Sequence, residues 1–125
     1  MNATNRRSFA QILLCRGCCC GKTERGFPPV PVDSIKAYWR EHKLNRFVQL
    51  TVSGCLGPCD QTNVVLIITP ERQIWLGGLS RDQEYQALGD WARDCGAFSR
   101  IMPLPALLSA LEIRRWNDVR IPIGE

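Results

Sequence analysis

The seven cysteines are the residues of this chain best able to do chemistry, and they are unevenly spread. Four of them lie within six positions, two more form a second pair, and one stands alone: Cys15, Cys18, Cys19, Cys20, Cys55, Cys59 and Cys95. In a reducing compartment, clustered cysteines bind a metal or carry out redox chemistry more often than they form disulfides. The pattern therefore predicts a metal site or a redox-active thiol.

Both cysteine groups lie in glycine-containing loops that follow an apolar run. The first cysteine loop is residues 15–21 and the second is residues 53–60, with the sequences CRGCCCG and SGCLGPCD. Glycine lets a loop wrap closely around a small, flat group, and backbone N–H groups in such turns can stabilise negative sulfur atoms. Two such loops could supply the four thiolates that a 2Fe–2S cluster needs. Four thiolates also suit a tetrahedral zinc ion, so a structural or metal-delivering zinc module stays open.

A thiol–disulfide oxidoreductase is a third interpretation. Cys15 and Cys18 have the Cys-x-x-Cys spacing in which Cys15 would be an activated thiolate. Two more cysteines, Gly21 and several prolines follow, so the helix whose N-terminus would lower a cysteine pKa is missing there, which weakens this interpretation. Cys95 follows a predicted helix alone, and we expect it to be a packed thiol without chemistry.

The local patterns predict an α/β domain in which helices flank a small mixed sheet. Apolar and β-branched runs predict four strands, the last two joined as a hairpin, at residues 11–15, 46–52, 64–69 and 73–76. Helical spacing of apolar residues predicts a helix that Asp33 or Ser34 caps and that runs to about Lys43. A second helix is predicted to follow Ser80 as its N-cap.

The chain is predicted to have three segments. These are a polar arm at residues 1–10, the domain at residues 11–95 and a C-terminal extension at residues 96–125. Apolar residues recur at helical spacing between Leu104 and Trp116, which predicts one more helix. Such an apolar face normally packs on the domain, and binding of a partner protein is the alternative.

Composition and charge narrow the function classes. The chain is 45% hydrophobic and 22% charged, which is typical of a globular protein, and no apolar run reaches the roughly 20 residues that cross a bilayer. The apolar stretch at residues 12–14 is too short for a secretion signal, so we expect a cytoplasmic protein without membrane contact. The net charge of +4 comes mainly from residues 16–46, without the dense basic run typical of nucleic-acid binding. It favours a partner with an acidic docking surface.

Residues 12–91 resemble the thioredoxin-like 2Fe–2S ferredoxins, which are related to the small cluster-bearing subunit of respiratory NADH dehydrogenases. Four features carry the resemblance: a strand ending in Cys-x-Gly-x-x-Cys at residues 15–20, the Ser-Gly-Cys-Leu-Gly-x-Cys motif at residues 53–59, an apolar strand at residues 64–68, and an aromatic followed by Gly-Gly at residues 75–78. The chain departs from the family pattern in having Cys18 and Cys19 inside the first cysteine loop and a proline-rich insertion at residues 27–31.

The resemblance implies a thioredoxin-like fold and an electron carrier rather than an enzyme. It also implies that the ligands of one 2Fe–2S cluster are Cys15, Cys20, Cys55 and Cys59, with Cys18 or Cys19 as alternatives to Cys20. The implied partner is a redox protein. Relatives are often dimers, so the resemblance also implies a homodimer.

Overall fold

The computed structural model describes residues 1–116 together with Pro122 and Gly124. Within this part of the chain, five strands form one mixed sheet: β1 Ala10–Cys15, β2 Val48–Ser53, β3 Val65–Ile68, β4 Gln73–Leu76 and β5 Glu112–Ile113. Three α-helices accompany the sheet: α1 Val32–Glu41, α2 Asp82–Phe98 and α3 Ala106–Ser109. Short 3₁₀ turns lie at Thr23–Arg25, Leu44–Arg46 and Cys59–Gln61. The four predicted strands and the hairpin of β3 and β4 are confirmed to within two residues.

The parallel direction of β1 and β2 places both cysteine loops at the same edge of the sheet, the one formed by the carboxyl ends of these two strands. The order is β2-β1-β3-β4-β5, with β1 and β2 parallel and the other neighbours antiparallel. Cys15, the last residue of β1, lies opposite Ser53, the last residue of β2. The antiparallel β3 begins at this edge and β4 ends there. We call it the cysteine edge.

The two faces of the sheet bury different sets of side chains, because successive residues of a strand point to opposite faces. Ile12 and Leu14 are fully buried in the main core, where α1 and α2 contribute Trp39 and Leu88 among others. A row of apolar residues in register crosses the other face: Leu13, Leu66, Trp75 and Ile113. Cys15 and Cys20 belong to the cluster that this second face builds, together with Val64.

The helices begin earlier or later than their predicted caps. The prediction that Asp33 or Ser34 caps α1 was wrong, because the helix begins at Val32 and Pro31 is its N-cap. The indole Nε1 of Trp39 in this helix donates to the Val48 carbonyl at 2.8 Å. The prediction that Ser80 is the N-cap of α2 was wrong by one residue, since Arg81 occupies that position. The carboxylate of Glu84 accepts the backbone N–H groups of Ser80 and Arg81 at 2.8 and 2.9 Å and so stabilises the first turn.

The described part of the C-terminal extension packs on the domain. Leu108 is fully buried in the main core, and the Trp91 indole donates to the Met102 carbonyl at 2.7 Å. The prediction of one helix up to Trp116 was wrong, because α3 ends at Ser109 and the Leu111 carbonyl then accepts the Gly77 N–H at 2.9 Å, which guides the chain into β5. The rest of the predicted extension, residues 117–121, 123 and 125, lies outside the described residues. The division of the chain at residues 10 and 95 stays a prediction.

None of the described helices is long and apolar enough to cross a lipid bilayer.

Candidate metal centre

The two cysteine loops touch each other through their backbones. A Cβ atom at Gly17 would lie 2.8 Å from the Cβ of Cys55 and 2.9 Å from its Cα, so a larger residue would push the loops apart. Just before this contact, the Arg16 N–H donates to the Ser53 carbonyl at 3.0 Å, which continues the pairing of β1 with β2. Gly17 is therefore the residue that allows the thiols of the two loops to meet.

Six of the seven thiols form one continuous patch at the cysteine edge. The Cys55 and Cys59 sulfur atoms are 3.2 Å apart, and those of Cys18 and Cys19 are 3.7 Å apart. Cys15 interacts electrostatically with both Cys20 and Cys55, and Cys59 interacts with Cys18. The order of neighbours along the patch is Cys20, Cys15, Cys55, Cys59, Cys18 and Cys19.

The predicted ligands are four consecutive members of this patch, but their surroundings differ. Cys15 and Cys20 are only 3% and 2% exposed, and the Cys20 sulfur accepts the Val64 N–H at 3.4 Å. Cys55 is exposed and Cys59 is half-buried. The structure thus brings Cys15, Cys20, Cys55 and Cys59 into one neighbourhood, with one pair beneath the surface and the other pair at it.

A second, overlapping set is compact enough to hold a single ion. The sulfur atoms of Cys18, Cys19 and Cys59 all lie within 4.8 Å of one another. The Arg25 guanidinium lies beside this set, donating to the Cys18 carbonyl at 2.7 Å and to the Cys19 sulfur at 3.7 Å. Since Cys59 belongs to both sets, the two sets compete for one thiolate.

The thiols of the patch differ in acidity. Burial, aided by the hydrogen bond to Cys20, raises the pKa of Cys15 to about 12. The hydrogen bond with Cys55 and then desolvation raise the pKa of Cys59 to about 12. The hydrogen bond from Cys19 lowers the pKa of Cys18, with further help from Cys59 and Arg25. Several of these thiols therefore stay protonated until a cationic metal displaces the proton.

Cys95 lies apart from the patch, within α2 and not after the helix as expected. Its side chain is fully buried in the main core, and its sulfur accepts the Met102 N–H at 3.3 Å. Burial raises the pKa of this thiol. The prediction of a packed thiol is confirmed.

Asn63 is a structural support of the site that the sequence analysis missed. Its side chain has no exposed surface, and its Oδ1 accepts the Gly21 N–H at 2.9 Å. Its Nδ2 donates to the carbonyls of Pro28 and Leu79 at 2.9 and 3.3 Å. Asn63 thus ties the first cysteine loop and the chain that follows it to the segment after Gly-Gly. A lone asparagine between the second cysteine loop and the apolar run of β3 was the available signal.

Comparison with solved structures identifies the fold. A cysteine-to-serine variant of the thioredoxin-like [2Fe-2S] ferredoxin from Aquifex aeolicus matches with a TM-score of 0.50 and 14% identity, covering 86% of this chain and 100% of that chain. The wild-type form of that ferredoxin gives a TM-score of 0.49 and 14% identity, covering 86% of this chain and 99% of that chain. No protein-family model and no curated protein matches the chain. The predicted thioredoxin-like fold is confirmed.

Replacing Asn63 by alanine is expected to destabilise the protein and to loosen the first cysteine loop. The change removes one buried and two partly buried hydrogen bonds, to the Gly21 N–H and to two carbonyls, which costs about 2–4 kcal/mol of unfolding free energy. Urea denaturation measures the loss, and trypsin cleavage after Lys22 or Arg25 reports on the loop. The matched control is Asn45→Ala, because Oδ1 of the exposed Asn45 accepts the Leu50 N–H and loss of this exposed bond should cost less than about 1 kcal/mol. Equal losses in the two variants would contradict the role given to Asn63.

Cys18 is expected to be the thiol of the metal-free protein that is alkylated first. The thiolate is the nucleophile, so the lowered pKa and the exposure of Cys18 give it a larger reactive fraction near neutral pH than an ordinary thiol. Cys59 is also accessible, but its pKa of about 12 keeps it protonated, so its rate should keep rising at alkaline pH after that of Cys18 has levelled off.

Brief iodoacetamide labelling across a pH series, read by peptide mass spectrometry, measures these rates. Cys20 and Cys95 serve as buried controls within the same molecule and should be labelled slowly. Labelling of Cys59 as fast as Cys18 near neutral pH would contradict the assignment.

Proposed function

We propose that this chain is an electron-transfer protein that carries one 2Fe–2S cluster on Cys15, Cys20, Cys55 and Cys59. The observation that carries the proposal is the continuous thiol patch, to which two loops contribute through the close contact of Gly17 with Cys55. The match to a protein described as a thioredoxin-like [2Fe-2S] ferredoxin supports it.

The residues at the cysteine edge suit such a group. A 2Fe–2S cluster takes two thiolates on each iron, and the patch offers the pairs Cys15 with Cys20 and Cys55 with Cys59. The Val64 N–H that points at the Cys20 sulfur would stabilise the charge of a ligating thiolate. When bound, a cluster of this kind supplies one-electron transfer. The proposal needs no general acid, general base or substrate pocket, so we infer a carrier rather than an enzyme.

Single-ion binding is the second candidate function, and the geometry of Cys18, Cys19 and Cys59 favours it. These three sulfur atoms lie within 4.8 Å of one another, and a fourth ligand would complete the tetrahedral site that zinc prefers. A thiol–disulfide oxidoreductase is disfavoured, because Cys15 would have to act as the exposed, acidic thiolate. Cys15 is 3% exposed, and burial raises its pKa.

We also infer a cytoplasmic location and an acidic redox partner. All seven cysteines are free thiols, which suits a reducing compartment. Arg25 contacts Cys18 and Cys19, and the first cysteine loop and the turn after it also carry the exposed Arg16 and the half-buried Lys22. The acidic residues of these segments and of the second cysteine loop are Glu24 and Asp60. This excess of positive charge would steer an acidic surface towards the sulfur atoms. The homodimer implied by the resemblance stays a prediction.

Protein purified without air is expected to be red-brown, with two irons and two acid-labile sulfides per chain. Its visible absorbance should bleach on addition of dithionite, because reduction changes the electronic state of the iron. An ultraviolet–visible spectrum with iron, sulfide and zinc assays on one sample makes the measurement. A colourless protein with one zinc, unchanged after attempted reconstitution, would replace the proposal by the zinc site.

Serine variants of single cysteines test the ligand set in the same assays. Loss of the cluster is expected for Cys20→Ser and Cys55→Ser, whereas Cys18→Ser and Cys19→Ser should keep it. Cys95→Ala is the control for removal of a thiol outside the patch. Loss of the cluster in Cys18→Ser or Cys19→Ser with retention in Cys20→Ser would transfer the ligand role to that cysteine.

Electron transfer to small redox probes is expected to show the positive charge around the site. Oxidation of the reduced protein by the anion ferricyanide should slow as salt is added, while oxidation by the cation tris(phenanthroline)cobalt(III) should accelerate, because salt screens attraction and repulsion alike. Stopped-flow absorbance measures both rates. Arg16→Glu should weaken the dependence of the ferricyanide rate on salt more than the matched control Arg40→Glu on α1. Equal effects of the two variants would contradict a local docking charge.

A further inference from the structure

Arg115 lies against the second cysteine loop and contacts two tryptophan rings. Its guanidinium carbon is 5.1 Å from the centre of the Trp75 ring and 4.2 Å from that of Trp116. The Nη2 atom lies so close to Gly57 that a Cβ there would be 2.5 Å away. Gly57, with a φ of +121°, is midway between Cys55 and Cys59, and its carbonyl accepts the Cys59 N–H at 2.8 Å. A positive charge therefore covers the middle of the loop.

The backbone fixes the position of Arg115. Ile113 of β5 pairs with Trp75 of β4, so the arginine follows two residues after an anchored strand position. The hydrogen bond from Gly77 to Leu111 secures the start of the same segment. The pairing of β5 with β4 and the contacts with two tryptophan rings therefore position the Arg115 side chain and fix the location of its charge.

The same arginine is linked to the apolar cluster of the buried cysteines through Trp75. The Trp75 ring beneath it belongs to the apolar cluster that also contains Cys15 and Cys20. The guanidinium therefore lies against Gly57 of the loop that carries Cys55 and Cys59, and it contacts a ring of the apolar cluster that contains Cys15 and Cys20. Apolar surroundings strengthen electrostatic interactions, because they lower the local dielectric constant.

The charge of Arg115 is incompletely satisfied by the described residues. Its Nε atom is buried and has no hydrogen-bond partner among them. Asp60 lines the same groove, yet no ion pair within 4.0 Å joins it to Arg115 in the described structure. Burying an unpaired donor of a charged group is energetically costly. A negatively charged group bound at the neighbouring cysteine loops would offset this cost.

We propose that Arg115 tunes the site electrostatically and raises the reduction potential of the group held by Cys55 and Cys59. This inference rests on the proposed function. Reduction adds one electron, and therefore one negative charge, to the site, and no bond is made or broken. A fixed positive charge beside the loop stabilises the reduced state more than the oxidised state, so the potential rises.

The experiment is a dye-mediated redox titration of the loaded full-length protein with dithionite at constant pH, followed by visible absorbance. Arg115→Gln is expected to make reduction about tenfold less favourable, which for one electron lowers the midpoint potential by about 59 mV. Arg115→Lys keeps the charge and should restore most of the difference. The matched control is Arg40→Gln on the exposed side of α1, which removes the same charge elsewhere. It should change the equilibrium constant for reduction by less than twofold.

The outcomes separate this inference from the proposed function. Wild-type protein that binds no iron and sulfide overturns both. A loaded protein whose potential is the same in wild type and Arg115→Gln overturns only the tuning role, as does an equal shift in Arg115→Lys and Arg115→Gln. Should Arg115→Gln fail to fold, Trp116→Leu removes only the exposed outer ring. It should lower the potential by a smaller step, and an unchanged or raised potential there would overturn the inference.

Discussion

The parallel pairing of β1 with β2 is the constraint on which the site depends. It ends both strands at one edge with Cys15 opposite Ser53, so the two cysteine loops leave the sheet side by side. The contact of Gly17 with Cys55 is possible only because of this register. A slip of one residue would turn Cys15 towards the helices, since neighbouring residues on a strand face opposite sides. The slip is unfavourable because it would turn Gln11, whose side chain donates to Thr51 on the second face, into the main core.

One face of the sheet carries the main core, and the other carries the buried cysteines. The face covered by α1 and α2 holds the main core, whereas the opposite face carries the row from Leu13 to Ile113 that leads to the buried cysteines. An apolar setting disfavours thiolates, which is why burial raises the pKa of Cys15. A cationic metal would reverse that preference, and the same setting would strengthen the proposed interaction of a bound metal centre with Arg115. Under the two proposals, the second face would thus influence thiol protonation, ligand binding and the reduction potential.

Local patterns in the sequence predicted the strands, the hairpin and the two long helices, because β-branched runs and helical spacing depend on near neighbours. The resemblance added the thioredoxin-like fold, which the comparison of structures confirms. The prediction of a long C-terminal helix was wrong, because the pairing of β5 with β4 is a tertiary interaction that overrides the helical spacing of apolar residues. Asn63 and Arg115 escaped notice for a similar reason. Asn63 contacts Gly21, which is 42 positions away in the sequence, and Arg115 contacts Gly57, about 58 positions away. No local pattern predicts contacts between residues so far apart.

Burial explains how six neighbouring thiols can take different roles. Both possible ligand sets contain Cys59, so only one of them can be filled at a time. The set with Cys15 and Cys20 places two of its thiolates where water is excluded and where the Val64 N–H already points at a sulfur atom. The set with Cys18 and Cys19 lies at the surface beside Arg25, where solvent screens the charges and competes for ligands. Because a low dielectric strengthens the attraction between a thiolate and a metal cation, the burial of Cys15 and Cys20 is the physical reason to propose the set that contains them as the cluster site. Under that proposal, Cys18 and Cys19 would remain thiols beside the cluster.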